Sequence, residues 1–342
     1  MGSLDVVPLC SMKMKDVASR ARVSVATVAR VLNGTGPVKR STRKRVVKAI
    51  EDLKYHPSLL ARSLSSGNAS AVGVVVSSLG NPFFLDIVNR IESRLRASGL
   101  EVIGIGTNNQ LGRLISAVRQ LIGHRVTGLV VLVSEMEPAV MDLLDSYGAP
   151  SVVLNGGNVT GNTACISIDY QFGMERTIRY LRDLGHRRMV FIGHRATLNT
   201  NSLRRRAFEE TIARFGPCVQ SRTVLCPEGL DGGREATREL FAVGFRPTAI
   251  VCDNDYIAIG ALRELRERGL NVPRDVSVTG FDNIPLTEFC EPPLTTVHVP
   301  RDEIAAFSAS CLKLDKCSAR GRSVVIHPEL IVRGSACHPA TA

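Results

Sequence analysis

Residues 24–32 (SVATVARVL) combine a helix-capping serine with a face suited to touching base edges. Ser24 is a good N-cap, because its hydroxyl can accept a bond from one of the first free helical N–H groups. Read as a helix, the segment places Val28, Val31 and Leu32 on one side and Val25, Ala26, Ala29 and Arg30 on the other. A helix lying in the major groove of DNA needs such a face. Its residues are too small to hold the backbone away from the bases, and one donor is long enough to reach guanine. Lys39, Arg40, Arg43, Lys44, Arg45 and Lys48 follow closely, and residues 1–70 carry 13 Lys and Arg against 4 Asp and Glu. That is a net +9 out of +11 for the 342-residue chain. A segment so charged attracts the phosphate backbone, less strongly as salt rises. The rest of the chain, with 30 basic residues against 28 acidic ones, must do something other than bind polyanion.

Chemistry that would make an enzyme is sparse. The patterns G-x-S-x-G, H-E-x-x-H and G-x-x-x-x-G-K-[ST] are absent. Gly104-Ile105-Gly106 begins a dinucleotide-like run, but Asn109 stands where the third glycine should fall. Asp253 and Asp255 pair acids at a strand end, with no histidine expected nearby to complete an acid–base set. The nine cysteines are scattered without a C-x-x-C pair, so reduced thiols rather than disulfides or zinc are expected. Neither a metal nor a cofactor is expected, and the chain does not read as an enzyme. No run approaches the roughly 18–20 apolar residues of a membrane span. The first dozen residues lack the basic start and apolar core of a secretory signal. A soluble cytoplasmic protein is expected, with residues 1–13 a flexible extension and Met12 or Met14 a candidate natural start.

These groups need a scaffold, and the pattern supplies three regions. Residues 14–54 read as three short helices. Val17, Ala18 and Ala21 share one face of the first, and Val46, Ile50 and Leu53 recur at helical spacing in the third. Residues 55–70 combine a proline with a Gly/Ser/Asn tail, which is linker chemistry. From Ala71 onward, β-branched runs such as AVGVVVSS (71–78), TGLVVLVS (127–134) and TAIVCDN (248–254) alternate with amphipathic stretches. Continuous apolar strands alternating with helices make βαβ units and a buried parallel sheet. The alternation is too long for one sheet of ordinary size. Two similar α/β lobes are expected, with a ligand cleft beyond the carboxyl ends of their strands.

The segment MKDVASRARVSVATVARVLNGTGPV, then TRKRVVKAIEDLKYHPSLLARSL, resembles the helix-turn-helix and hinge of the LacI/GalR family of bacterial transcriptional regulators. The likeness continues through NPFF (81–84), GHRR (185–188), DND (253–255), GFDNIP (280–285), PPLTTV (292–297) and PELIVRGSA (328–336), nearly the whole chain. It implies a small all-α head and hinge helix, followed by a periplasmic-binding-protein-like core of two Rossmann-like parallel-sheet lobes. The divisions are a head at 14–56, a hinge and linker at 57–70, and a core at 71–342. Within the core, one lobe takes 71–169 and 298–327 and the other takes 170–297 and 328–342.

The resemblance also implies roles. Thr27 and Asn33 match phosphate-contacting positions, and Val25, Ala26 and Arg30 match base-reading ones. Ala61 and Arg62 would face the minor groove, and Leu64 would wedge between central base steps. Without the resemblance, Leu64 reads as a linker leucine packing on its own domain. Phe83, Phe84, Asn155, Arg204, Asn254 and Asp282 match effector-contacting positions, an aromatic floor with polar forks suited to adjacent hydroxyls. Two departures stand out: Arg22 replaces the usual turn glycine, and Ala29 replaces a serine.

The reading these features give is a homodimeric repressor on a pseudo-palindromic double-stranded DNA operator, controlled by a small sugar-like effector. No leucine heptads follow PELIVRGSA, so no tetramerising tail is expected. A solute-binding protein, a DNA-tethered α/β enzyme and a sequence-blind DNA-bending protein are the rivals.

Overall fold

The computed structural model describes residues 12–33, 36–55, 71–110, 112–133, 136–157, 161–195, 203–312 and 319–340. Ala61, Arg62 and Leu64 therefore lie outside the described residues, as does the side chain of Asn33. The chain divides into two compact units, Met1–Ser70 and Ala71–Ala342.

In the first unit, helices α1 (Met14–Ala21), α2 (Val25–Asn33) and α3 (Arg40–Asp52) enclose one small core. Val17, Ala18, Ala21, Val28, Val31, Val46 and Ala49 are buried there, with Tyr55 closing one end. The α1–α2 turn hinges on Arg22, which sits in the left-handed region at φ 52° and ψ 53°. That geometry lets Arg22 N–H donate to the Ser19 carbonyl at 3.2 Å and Val23 N–H to the Ala18 carbonyl at 3.0 Å. A residue with a Cβ pays for this shape, so the departure noted in the sequence has a physical cost. Arg22→Gly should raise head stability by about 0.5–1 kcal/mol, the relieved strain less the chain entropy that glycine adds. Amide-exchange protection in α1 and α2 reads the effect; unchanged or lower protection would contradict it.

Among its described residues, the second unit contains two six-stranded sheets. The first lobe begins with β1 (Ala71–Val76), α4 (Pro82–Arg96), β2 (Glu101–Gly106), α5 (Arg113–Gly123) and β3 (Gly128–Leu132). It continues through α6 (Pro138–Tyr147), β4 (Ser151–Leu154) and β5 (Thr163–Ile168). The second lobe follows with α7 (Tyr170–Asp183), β6 (Arg188–His194), α8 (Leu203–Ala213), β7 (Gln220–Cys226) and α9 (Leu230–Ala242). Then come β8 (Ala249–Cys252), α10 (Asp255–Glu267), β9 (Ser277–Asp282) and β10 (Thr295–His298). The chain returns to the first lobe for α11 (Arg301–Leu312) and β11 (Ser323–Ile326), and ends in the second with β12 (Glu329–Ile331).

The strand orders are β11-β5-β4-β3-β1-β2 and β12-β10-β9-β8-β6-β7. All pairings are parallel except β10 with β12. The apolar runs fill the sheet interiors because parallel strands are covered on both faces. The largest buried cluster joins Val72, Val130 and Ile166 of one sheet to Phe191, Phe281 and Val297 of the other. On the outer face of the second sheet, α9 and α10 approach backbone to backbone. A Cβ at Gly233 would run into the Ile257 carbonyl, and one at Gly260 into the Leu230 carbonyl.

Candidate DNA-reading face and effector cleft

On the head, α2 buries Val28 and Val31 and leaves Val25 (40% exposed), Ala26 and Arg30 facing outward. The Ser24 hydroxyl accepts from Thr27 N–H at 3.2 Å, as the N-cap reading requires, and lies 3.0 Å from the Thr27 hydroxyl. Small residues and the Arg30 guanidinium thus share the exposed face, as the periodicity indicates.

In the core, the polar groups gather where parallel strands end, because parallel strands turn their carboxyl ends to the same side. Arg204, in the first turn of α8, is the hub. Its Nη1 donates to the Asp253 carbonyl at 2.9 Å and its Nη2 to Asp282 Oδ1 at 3.1 Å. The guanidinium also lies over two rings, 4.8 Å from the Tyr170 centroid and 4.6 Å from that of Phe281. The Tyr170 hydroxyl accepts from Asn155 Nδ2 at 3.2 Å, and Asn155 Oδ1 accepts from Ile168 N–H at 3.1 Å. The sequence-predicted Asn155, Arg204 and Asp282 therefore belong to one hydrogen-bonded network.

Other predicted positions also carry structural duties, and one expectation about the acid pair needs correction. Asn254 points its Oδ1 at its own helix, accepting from Ile257 N–H at 2.9 Å as the N-cap of α10. One lone pair of its oxygen is committed there, which leaves the other and the amide nitrogen for a ligand. Phe83 and Phe84 are 2% and 5% exposed and pack edge to face with centroids 5.2 Å apart. With the lobes placed as they are, both rings belong to the apolar core. The acid pair does have a histidine: His194, at the end of β6, has Nδ1 2.6 Å from Asp253 Oδ2. Asp255 is committed elsewhere, accepting from Ile284 N–H at 2.8 Å and from the Thr296 hydroxyl at 2.5 Å.

Contacts missing from the sequence reading bridge the lobes. Glu228, after β7, accepts from Asn81 Nδ2 at 3.0 Å and from Asn109 Nδ2, both on the first lobe. The Tyr256 hydroxyl donates to the Gly80 carbonyl at 3.0 Å. Arg301, at the start of α11, donates through Nη1 to the Asp282 carbonyl and through Nε to Asp86 Oδ2, each at 2.6 Å.

Burial sets the electrostatics. It opposes charge on His194, but the facing Asp253 outweighs it and raises the imidazole above its ordinary value. Burial likewise opposes charge on Asp253, yet His194 and Arg204 hold that carboxyl below the usual range. Asp282 goes the other way: burial, aided by the charges of Asp253 and Glu228, outweighs Arg204 and Arg301 and pushes it up to about 7. A carboxyl raised on folding stabilises the fold below its unfolded value near 4, and that contribution is lost as pH climbs through the folded value. The stability advantage of wild type over Asp282→Asn should therefore shrink between about pH 4 and 7. Parallel urea titrations across that window measure it; a flat difference would show that Asp282 ionises normally.

Among the described residues, no helix is long and apolar enough to cross a membrane, and no group of three metal-ligating side chains converges. Two family models match: bacterial regulatory proteins, lacI family, over residues 13–58, and a periplasmic binding protein-like domain over residues 178–336. The chain is 33% identical over 329 residues to the HTH-type transcriptional repressor PurR of Pasteurella multocida (strain Pm70), covering 94% of this chain and 98% of that one. Its fold matches a lac repressor dimer bound to operator and the anti-inducer ONPF, with TM-score 0.75, 24% identity, and 95% and 99% of the two chains covered. It also matches a complex of the transcriptional regulator CelR with cellobiose, with TM-score 0.68, 26% identity and the same coverage. With head, two-lobed core and a repressor relative aligned almost end to end, the chain belongs to the LacI/GalR family of bacterial transcriptional regulators and is a DNA-binding repressor.

Proposed function

We propose that this repressor acts in the cytoplasm as a homodimer on a pseudo-palindromic operator, with its affinity set by a small sugar-like molecule held between the core lobes. The observation that carries the proposal is the pairing of an exposed small-residue face on α2 with a buried polar hub around Arg204. In the head, 14–56, Val25 and Ala26 offer apolar contact to the bases and Arg30 the directional hydrogen bonds, while Thr27 and Asn33 hold phosphates. Ala61, Arg62 and Leu64 in the hinge, 57–70, serve the minor groove.

One head reads one half-site, so a palindrome calls for two-fold symmetry. Phe289, 84% exposed, and Leu286 beside it give the second lobe an apolar surface that a second copy would cover. In the core, Asn155, Arg204, Asn254 and Asp282 are the effector contacts, with Phe83 and Phe84 behind them. Arg204 Nη2 and Asp282 Oδ1 are bonded to each other here, while Arg204 Nε is buried without a hydrogen-bond partner among the described residues, so a hydroxyl-rich ligand could replace the first bond and supply the second. Its binding would change the bridging contacts between lobes, and with them the spacing of two hinges. By linkage, operator must change effector affinity by the same factor.

Arg30→Ala tests the DNA reading. Against a duplex enriched from a random pool, the variant should lose about 1–3 kcal/mol of discrimination while keeping most of its affinity for unselected duplex. Discrimination equal to wild type in an anisotropy competition would overturn the proposal.

A further inference from the structure

Asp253 sits in the middle of the polar hub, yet one of its oxygens is left over. The residue is 1% exposed. Its Oδ2 lies 2.6 Å from His194 Nδ1 and 3.9 Å from Arg204 Nη1. Its Oδ1 is buried with no hydrogen-bond partner among the described residues. His194 and Arg204 hold this carboxyl below the usual range, so the leftover oxygen belongs to an anion. Arg204 Nε is the matching case, a buried donor that also lacks a partner among the described residues. An unpaired buried polar atom is costly, more so on a charged group, and calls for a physical reason. Here an unpaired acceptor and an unpaired donor stand on two residues already joined by the 2.9 Å bond from Arg204 Nη1 to the Asp253 carbonyl.

Their position points to a ligand. Asp253 directly follows β8 and His194 ends β6, so both stand at strand carboxyl ends, where sheets of this kind take their ligands. Glu228 and Tyr256 reach the first lobe from neighbouring strand ends. Each cation of the hub already faces a carboxylate: His194 faces Asp253, Arg204 faces Asp282 at 3.1 Å, and Arg301 faces Asp86 at 2.6 Å. Glu228, by contrast, is held by the neutral amides of Asn81 and Asn109. Arg195, next after His194, is exposed. Among the described residues the hub therefore has no spare positive charge for a phosphate or carboxylate. A flat base finds no ring to stack on, since Arg204 lies over Tyr170 and Phe281 and the Phe83–Phe84 pair is buried. Hydroxyls suit both orphan atoms, because a hydroxyl can donate as well as accept.

We propose that Asp253, oriented by His194, is a further effector-reading residue, and that it selects a neutral polyhydroxyl ligand over anionic or planar ones. One hydroxyl donates to Asp253 Oδ1, and a neighbouring one accepts from Arg204 Nε. This assignment rests on reading the strand ends as the effector cleft, and adds the sign of charge that the cleft rejects.

The probes are glucose, galactose and mannose as neutral ligands, gluconate and glucose phosphate as anions, and adenine as a planar ligand, each titrated into the full-length protein. Wild type should bind a neutral sugar at least about 10-fold more tightly than either anion or adenine, since a buried charge needs a partner. Analogues of that sugar with one hydroxyl replaced by fluorine, which cannot donate, should lose about 10- to 100-fold at one ring position. In Asp253→Asn the same analogue should bind within about 3-fold of its parent, because the amide can donate where the carboxylate could only accept. A purely structural role for Asp253 would not change which hydroxyl matters. The scan in wild type needs no variant, so it stands even where Asp253→Asn fails to fold. Equal losses at every ring position, or the same penalty in both proteins, would overturn the proposal. Preferred binding of an anion or of adenine, abolished in Arg204→Met, would overturn it and leave the effector cleft in place. No binding by any probe would overturn both.

Discussion

Arg204→Met should lower the stability of the core by about 3–5 kcal/mol, the cost of removing one partner from a buried charge network. Asp253, 1% exposed, would lose the cation beside its carboxylate, and Asp282 Oδ1 would lose its donor at 3.1 Å. The methionine can still fill the space between Tyr170 and Phe281, so packing changes little and the loss reports on charge. Adding Asp282→Asn to the variant should return part of it, because a neutral amide needs no cation in a buried site. The core transition in guanidinium denaturation gives both numbers. A loss under about 1 kcal/mol would mean that solvent already screens the network, as it does for surface pairs. The same substitution should abolish any thermal shift produced by members of a sugar panel, since the hub would no longer present Asp282 and Asp253 in fixed positions.

The hub was only partly legible in the sequence, for a reason set by topology. Asn155, Arg204 and Asp282 could be placed by resemblance because each sits in a recognisable local motif. His194 and Asp253 are 59 residues apart and meet only because β6 and β8 are neighbours in the sheet. Strand order is a non-local property, and no periodicity within 188–194 or 249–252 announces it. Glu228 was invisible likewise, since its partners Asn81 and Asn109 stand on the other lobe. Asn254 is a different case: an asparagine before a helix is an N-cap signal, and that local competition took one lone pair of its oxygen from the cleft. In the head, by contrast, everything needed is local. The spacing of Val28, Val31 and Leu32, and of Val46, Ile50 and Leu53, gave the faces that pack inward, and the left-handed turn falls at Arg22, where the resemblance marks a missing glycine.

Arg301→Met should cost less when Arg204 is already methionine than when it is present, because both cations act on Asp282. Arg301 grips the Asp282 carbonyl at 2.6 Å while Arg204 holds Asp282 Oδ1 at 3.1 Å. With Arg204 gone, a carboxyl already raised to about 7 takes up its proton more readily, and the attraction that Arg301 had for it disappears. A double-mutant cycle should therefore give a coupling of about 0.5–2 kcal/mol, with losses less than additive. The link matters because of where Arg301 leads. Its Nε holds Asp86, Asp86 accepts from Arg90 at 3.0 Å, and Arg90 and Arg94 both hold Asp302 on α11. That chain of ion pairs runs from the strand end of one lobe to the outer surface of α4 on the other. Contact alone does not make a path of communication; a shared energetic response does. If the two losses add within about 0.3 kcal/mol, the hub and the bridge are independent, and effector binding at Arg204 would have to reach the first lobe through Glu228 instead.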